Sequence, residues 1–405
     1  MKRLCVLLLV AVAGCSAQAP APESTDPAAS NFREGPDGAN FWRVPMEAEA
    51  GAQRGDIYWA RERTDVPAGA RGWNVIYVTE GATGGLEYVS GEIYVPVNPP
   101  TPAGQRPLVV WNHGTSGSQD SCAPSRDNLL QAGSDPRVPE LDTLIARGYV
   151  VAMSDYQGLG VPGPVEYLNG PTQGMAALDA ARAAQKFAPA SAGTRFAMYG
   201  FSQGGQTSIW ATSLAPKYAP ELDLVGAVAI APAARHLDLS FYDLGIPMNR
   251  GYFIMRMAGL AAGHPEVKLT DILTPDGLAM LDAMSWGCYE LFGAAAQMTT
   301  PYAKPEALEP GTAWRTRLEE NDAFLPLPTG VPLLVLQGDK DVDVPIEQIR
   351  ELTRDLCAQK AQVEFQEFAG VDHMQLHPRG GALVPDWVDA RFRGETATVT
   401  CPGVS

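Results

Sequence analysis

A single serine stands where an apolar run breaks and a helical pattern begins. Residues 195–215 read RFAMYGFSQGGQTSIWATSLA, and residues 200–204 match the pattern G-x-S-x-G around Ser202. A sharp strand-to-helix turn of this kind strains the backbone of its serine and exposes the hydroxyl above the sheet. Glycines at the two flanks, Gly200 and Gly204, keep side chains out of so tight a turn. The pattern predicts a nucleophile elbow with Ser202 as the nucleophile.

A serine hydroxyl is a weak nucleophile until a base accepts its proton. The chain has five histidines: His113, His236, His264, His373 and His377. Elbow enzymes carry serine, then the acid, then histidine in chain order. This order favours His373, in FAGVDHMQL, where a loop after the last predicted strand could reach over the strand ends. His377 is the reserve, and the histidines at 236 and 264 are expected to be structural.

The carboxylate that orients the imidazole must follow a strand in the second half of the chain. The segment VLQGDKDVDVP offers Asp339, Asp341 and Asp343 directly after an apolar run. The spacing G-x-x-D-x-x-V-P selects Asp341, and turn formation and solvation account for the other two.

An attacking serine creates an oxyanion that needs preorganised N–H donors. One expected donor is the backbone N–H of Gln203, at the start of the helix. The second must come from another strand end, where the residues alone leave two candidates, Gly114 in WNHGT and Asp155 in SDYQGLG.

Strand and helix patterns alternate through most of the chain. Strands are predicted at 72–97 as a hairpin and near 106–115, 149–155, 195–202, 224–233, 332–339 and 362–370, with helices between most of them and at the end. The alternation predicts an α/β fold with a mostly parallel, doubly wound sheet. Almost a hundred residues separate the strands near 234 and 331, and their helical, Met-rich and aromatic pattern predicts an inserted helical cap. We therefore expect a core at 36–234 and 331–405 and a cap, or lid, at 235–330.

The N-terminus has the pattern of an export signal. Residues 1–14 combine two basic residues with a short apolar run, and small residues lead into Cys15 as in a bacterial lipobox. We expect a signal peptide at 1–14, lipidation at Cys15 and a flexible Ala/Pro/Ser-rich tether at 15–35. The protein would then be exported, either lipid-anchored to the cell envelope or secreted, and would contact the membrane only through that anchor.

Charge and cysteine usage exclude several classes of function. The formal net charge is −16 without a Lys/Arg cluster, which argues against nucleic-acid binding. No cysteine lies in a C-x-x-C pair, which argues against zinc, and no metal or organic cofactor is implied. The four cysteines after Cys15 predict two disulfides in an exported chain, with three pairings possible.

Four segments together resemble a known family. WNHGTSGSQDSCAPS, GYVVAMSDYQGLG, YGFSQGG and APKYAPELDLVGAVAIAPA are similar to the secretory lipase family of α/β-hydrolases, which includes bacterial lipoproteins and fungal secreted lipases. The resemblance covers roughly residues 40–395. It implies the α/β-hydrolase fold and a helical lid, with Ser202, Asp341 and His373 as the triad. It also implies an oxyanion donor at Asp155 rather than Gly114, and disulfides Cys122–Cys288 and Cys357–Cys401.

These observations predict a serine carboxylic ester hydrolase, a lipase or esterase, that acts on a small-molecule or lipid ester through an acyl-enzyme. A serine peptidase is an alternative because the same triad cleaves amides. A catalytically silent, lipid-anchored binding protein is the other alternative.

Overall fold

A computed structural model describes residues 32–126, 140–322, 324 and 326–401, and its strands form one nine-stranded sheet. The strands are β1 (Ile57–Glu62), β2 (Ala70–Glu80), β3 (Leu86–Pro96), β4 (Arg106–Asn112), β5 (Val150–Ser154), β6 (Ala192–Phe201), β7 (Asp223–Ile230), β8 (Leu333–Gly338) and β9 (Val363–Phe368). Their order across the sheet is β1-β2-β3-β5-β4-β6-β7-β8-β9.

Most of the sheet is parallel. β1, β2 and β3 pair antiparallel, β3 pairs antiparallel with β5, and every pairing from β5 to β9 is parallel. The continuous apolar run of β4 suits a strand covered on both faces, and Val109, Val110 and Trp111 are all buried. The predicted mostly parallel, doubly wound sheet is confirmed.

Helices cover both faces of the sheet. One face packs against α2 (Gly170–Lys186), α3 (Gln203–Tyr218) and α10 (Ile346–Ala358), whose apolar residues join one core cluster. The opposite face packs against α1 (Leu141–Ala146), α11 (His373–Gly381) and α12 (Val384–Phe392), which share a second cluster. Two layers of helix around one sheet bury both of its apolar surfaces.

The described residues between β7 and β8, where the sequence predicts a cap, form six α-helices. They are α4 (His236–Gly245), α5 (Arg250–Gly263), α6 (Leu269–Ile272), α7 (Pro275–Met284), α8 (Phe292–Ala295) and α9 (Ala313–Glu320). Phe253 and Leu260 of α5 are fully buried, so this segment packs firmly onto the rest of the chain. The division of the chain into core and cap domains stays a prediction.

The edge strand β1 is absent from the sequence-based prediction. Its residues IYWARE are only half-buried for the most part, and its pairing with β2 shifts register between Ile57 and Trp59. A short, irregular edge strand with charged residues lacks the alternation on which strand prediction depends.

The N-terminal predictions fall largely outside the described residues. The signal peptide at 1–14, Cys15 and the tether up to residue 31 all lie there. In the part of the chain that the structure describes, no helix has both the length and the apolar character needed to cross a bilayer.

Candidate active site

Ser202 occupies the turn between β6 and α3. Its backbone has φ 55° and ψ −113°, a conformation that a residue with a side chain rarely adopts. Its backbone N–H donates to the carbonyl oxygen of Ile230 at the end of β7 (2.8 Å), which fixes the turn against the neighbouring strand. The strained strand-to-helix turn expected from the sequence is therefore present.

The flanking glycines allow β4, β6 and α3 to meet at this turn. An added Cβ at Gly200 would lie 2.2 Å from the carbonyl oxygen of Gly204. An added Cβ at Gly204 would lie 1.8 Å from the carbonyl oxygen of Asn112. Neither position has room for a side chain, because overlap of this size forces the packed backbone apart.

Three side chains from distant parts of the sequence form a hydrogen-bonded row. The distance from His373 Nε2 to Ser202 Oγ is 3.0 Å, and the distance from His373 Nδ1 to Asp341 Oδ2 is 2.7 Å. The carboxylate can only accept, so Nδ1–H donates to it and Nε2 is left to accept the serine proton. This arrangement matches a nucleophile, a base and an orienting acid.

The Asp341 carboxylate is held from several sides. Its Oδ1 accepts from the backbone N–H groups of Asp343 (2.9 Å) and Val344 (2.7 Å). Its Oδ2 accepts from Gln337 Nε2 (3.0 Å) as well as from His373. These donors fix the orientation of the carboxylate.

His373 is the first residue of α11 rather than part of a loop, which corrects the sequence-based expectation. Asp372 caps this helix by accepting from the backbone N–H of Gln375 (2.8 Å). Burial disfavours the charged imidazolium, but the neighbouring carboxylates, Asp341 foremost, outweigh it and raise the pKa of His373 above its usual 6.5. The backbone at the start of a helix is more rigid than a free loop, so it holds the imidazole ring more precisely.

The other histidines lie apart from this row. His113 is fully buried, donates from Nδ1 to the carbonyl oxygen of Gly114 (2.6 Å) and has a pKa lowered by burial. His377 stacks on the ring of Phe201, with centroids 4.6 Å apart. His236 and His264 each lie beside a carboxylate from the segment between β7 and β8.

The oxyanion candidates differ in what they can offer. Gln203 opens α3, where first-turn N–H groups have no partner within the helix. Gly114 lies beside the elbow, because an added Cβ there would stand 3.4 Å from the carbonyl oxygen of Phe201. The next residue, Thr115, hydrogen-bonds through Oγ1 to the Tyr167 hydroxyl (2.8 Å).

Asp155 is fully buried and already committed elsewhere. Its backbone N–H donates to the carbonyl oxygen of Ser90 (2.8 Å), and its carboxylate accepts from the hydroxyls of Ser90 and Ser125. These bonds tie β3, β5 and the loop after β4 together. The geometry therefore does not support the preference for Asp155 implied by the resemblance.

Ser202 lines a small cavity of about 20 Å³. Its lining also includes Tyr167, Asp243 of α4 and Arg256 of α5. The two charged residues form a buried ion pair at 2.7 Å. Neither residue is among the site residues predicted from the sequence, because a charged residue in an amphipathic segment is usually solvated.

Asp341, Asp343 and His373 also form the group of described acidic and histidine side chains whose atoms could reach one metal ion, within 4.8 Å of one another. Both ring nitrogens of His373 already take part in hydrogen bonds to Asp341 and Ser202. An ion bound there would have to break that row.

Two disulfides connect segments near the site and at the C-terminus. Cys122 pairs with Cys288, which joins the loop after β4 to the segment after α7 (Cα–Cα 5.4 Å). Cys357 of α10 pairs with Cys401 in the C-terminal segment (Cα–Cα 5.6 Å). These are the pairings that the family resemblance implies.

The sequence matches the family model for secretory lipases over residues 138–400. The chain belongs to the secretory lipase family. The matched range contains all three members of the row, Ser202, Asp341 and His373.

Proteins similar to this chain agree with this assignment. A secreted triacylglycerol lipase of Malassezia globosa is 26% identical over 89% of this chain and 80% of its own length. A probable inactive lipase of Mycobacterium tuberculosis is 23% identical over 82% of this chain and 76% of its own length. The closed state of Candida antarctica lipase A superposes with a TM-score of 0.71 at 22% identity, over 86% of this chain and 85% of that one. The last comparison confirms the α/β-hydrolase fold.

Proposed function

We propose that this chain is a serine carboxylester hydrolase, a lipase or esterase, that works through an acyl-enzyme. The observation that carries the proposal is the row from Ser202 Oγ through His373 to Asp341, with contacts of 3.0 and 2.7 Å. One similar protein is named a probable inactive lipase, so this geometry, rather than family membership alone, is the basis of the proposal.

In the acylation step, Ser202 Oγ attacks the ester carbonyl carbon while its proton passes to His373 Nε2. Asp341 accepts from Nδ1–H and stabilises the imidazolium that forms. The imidazolium then protonates the leaving alcohol as the carbon–oxygen bond breaks. Water, deprotonated by the same nitrogen, hydrolyses the acyl-enzyme and restores the hydroxyl.

The oxyanion forms beside the start of α3. The Gln203 backbone N–H and the positive end of the helix dipole favour negative charge there. We propose the backbone around Gly114 as the second donor, because it lies against Phe201 and its neighbour Thr115 contacts the cavity residue Tyr167.

The cavity must widen before an ester can react. At about 20 Å³ it holds roughly one water molecule, whereas sites for drug-sized ligands measure about 300–1,000 Å³. We propose that α4 and α5 shift to admit the substrate, because Asp243 and Arg256 from these helices line the cavity.

The test combines turnover with active-site labelling. Ser202→Ala should abolish hydrolysis of p-nitrophenyl esters and labelling by a fluorophosphonate while the circular dichroism spectrum is unchanged. Ser285→Ala, at an exposed serine after α7, is the matched control and should keep both. Retained turnover in Ser202→Ala would refute the mechanism. Cleavage of peptides in preference to esters would instead identify a peptidase.

We also propose export with a lipid anchor at Cys15, supported by the lipobox-like sequence and by a relative named as secreted. Metabolic labelling with a radioactive fatty acid tests this. Cys15→Ser should lose the label, and an equally labelled variant would refute the anchor.

A further inference from the structure

The cavity beside Ser202 has a charged and hydroxyl-bearing wall. Asp243, Arg256, Tyr252 and Asp343 line it together with Tyr167 and several apolar residues. A site that only held a fatty acyl chain would be lined mainly by apolar side chains, because buried polar groups cost free energy unless they are paired. Each polar group of this wall therefore needs a partner, either within the protein or on the substrate.

Both oxygens of Asp243 and the two terminal nitrogens of Arg256 have partners within the protein, whereas Arg256 Nε is buried without one among the described residues. Arg256 donates to Asp243 Oδ2 (2.7 Å) and to Ser240 Oγ (3.0 Å), and Asn249 donates to Asp243 Oδ1 (2.9 Å). The pair contributes no net charge to the cavity.

Asp343 is different. Its backbone N–H binds Asp341, but no described residue donates a hydrogen bond to its carboxylate. The side chain is only partly exposed, and one of its carboxylate oxygens lies within 4.8 Å of a ring nitrogen of His373. Burial raises the pKa of Asp343, as expected for a carboxyl group with few donors around it.

We propose that Asp343 is a substrate-binding residue that accepts a hydrogen bond from the ester itself, from a hydroxyl or ammonium group close to the scissile carbonyl. The inference rests on the proposed ester hydrolase function and narrows its substrate class. A substrate with such a donor replaces the water that otherwise solvates the carboxylate. A purely aliphatic ester displaces that water and leaves the carboxylate unpaired, which is costly.

A discrimination of about tenfold to 100-fold follows, because an unpaired charged acceptor in a closed site penalises the analogue that lacks the donor. Asp343 could instead act only through the charge of His373. That role would change the turnover of all esters alike and would leave the ratio between matched esters unchanged.

The experiment measures kcat/KM for two pairs of esters in which a hydroxyl replaces a methyl group. On the acyl side the pair is p-nitrophenyl 3-hydroxybutyrate and p-nitrophenyl 3-methylbutyrate. On the alcohol side it is 2-hydroxyethyl butyrate and propyl butyrate. We expect the hydroxylated ester to be preferred at least about tenfold in one or both pairs.

Two variants assign the preference to Asp343. Asp343→Leu should bring the ratio close to one, and Asp343→Asn, which keeps an acceptor without the charge, should reduce it. Asp339→Asn is the matched control in the same loop, where the carboxylate accepts from the Gly370 N–H (2.6 Å), and should leave the ratio unchanged.

Ratios within about twofold for the wild type in both pairs would overturn the inference, and so would a preference that both folded variants retain. If no ester is turned over at all, the proposed function fails as well. Turnover of all four esters at equal rates refutes the role of Asp343 alone.

Discussion

Replacing Gly204 by alanine tests how the backbone contact at the elbow positions the serine. The new methyl group would stand 1.8 Å from the carbonyl oxygen of Asn112 and 2.4 Å from its carbonyl carbon. Carbon contacts become favourable at about 3.5 Å, so the new methyl carbon and the carbonyl carbon of Asn112 must move apart by roughly 1.1 Å, which separates the end of β4 from the start of α3. Both groups are backbone, so no side-chain rotation can relieve the overlap.

The separation should affect catalysis more than stability. Overpacking costs about 1–3 kcal/mol. With a melting entropy of about 2.1 cal/mol/K per residue, that cost lowers Tm by only about 1–4 °C in a chain of this length. Ser202 Oγ sits 3.0 Å from His373, and a misplacement of about 1 Å can reduce turnover by 100-fold. We therefore expect kcat/KM to fall about 100-fold or more.

The assay measures kcat/KM on a short p-nitrophenyl ester beside Tm by calorimetry. Gly245→Ala is the control, because an added Cβ at the end of α4 meets nothing within 4 Å. It should change neither quantity. A Gly204→Ala variant that keeps kcat/KM within about threefold of the wild type would refute the positioning argument.

Three further outcomes are expected. Turnover needs the neutral imidazole of His373, so kcat/KM should rise with pH. It should reach half its maximum above pH 6.5, because the charge of Asp341 outweighs the effect of burial and raises the pKa of His373. A midpoint below 6.5 in a pH–rate profile would contradict this expectation. Asp341→Asn should lower kcat by a factor on the order of 10⁴, because the imidazole loses its orientation, whereas Asp339→Asn should leave kcat nearly unchanged. Similar losses of kcat for the two variants in steady-state assays would contradict the assignment of Asp341 as the orienting acid. Cys122→Ser should lower the free energy of unfolding by up to about 5 kcal/mol and Cys357→Ser by up to about 4 kcal/mol, because their disulfides close loops of 166 and 44 residues. A larger loss of unfolding free energy for Cys357→Ser in denaturant titrations would contradict the loop-length argument.

The local features of the site could be predicted from the sequence. The turn at Ser202 needs only a strand, a helix and two close glycines, all of which are neighbours in the chain. Chain order and the spacing after β8 were enough to single out Asp341 and His373 for the row. The sheet was predictable for a similar reason, since buried parallel strands are continuous apolar runs.

Features that depend on several distant segments could not be predicted. α11 carries Pro378 inside it, which opposes a helix, and only the Asp372 cap gave a signal for it. The burial of Asp155 depends on Ser90 and Ser125, which the fold brings to it from other elements.

The polar wall of the cavity was also beyond sequence reasoning. It forms where α4 and α5 meet the loop after β8, so Arg256 and Asp343 become neighbours of Ser202 only in three dimensions. A charged residue in an amphipathic segment is usually solvated, and nothing in the local pattern distinguishes one that faces a cavity.

The distribution of the row along the chain has a consequence for how the protein matures. The base lies 171 positions after the nucleophile and follows the last strand, β9, which forms one edge of the sheet. A nascent or truncated polypeptide that ends before β9 also lacks the base that accepts the serine proton. On the proposed mechanism, ester cleavage after dilution from denaturant would return only once that final edge has docked.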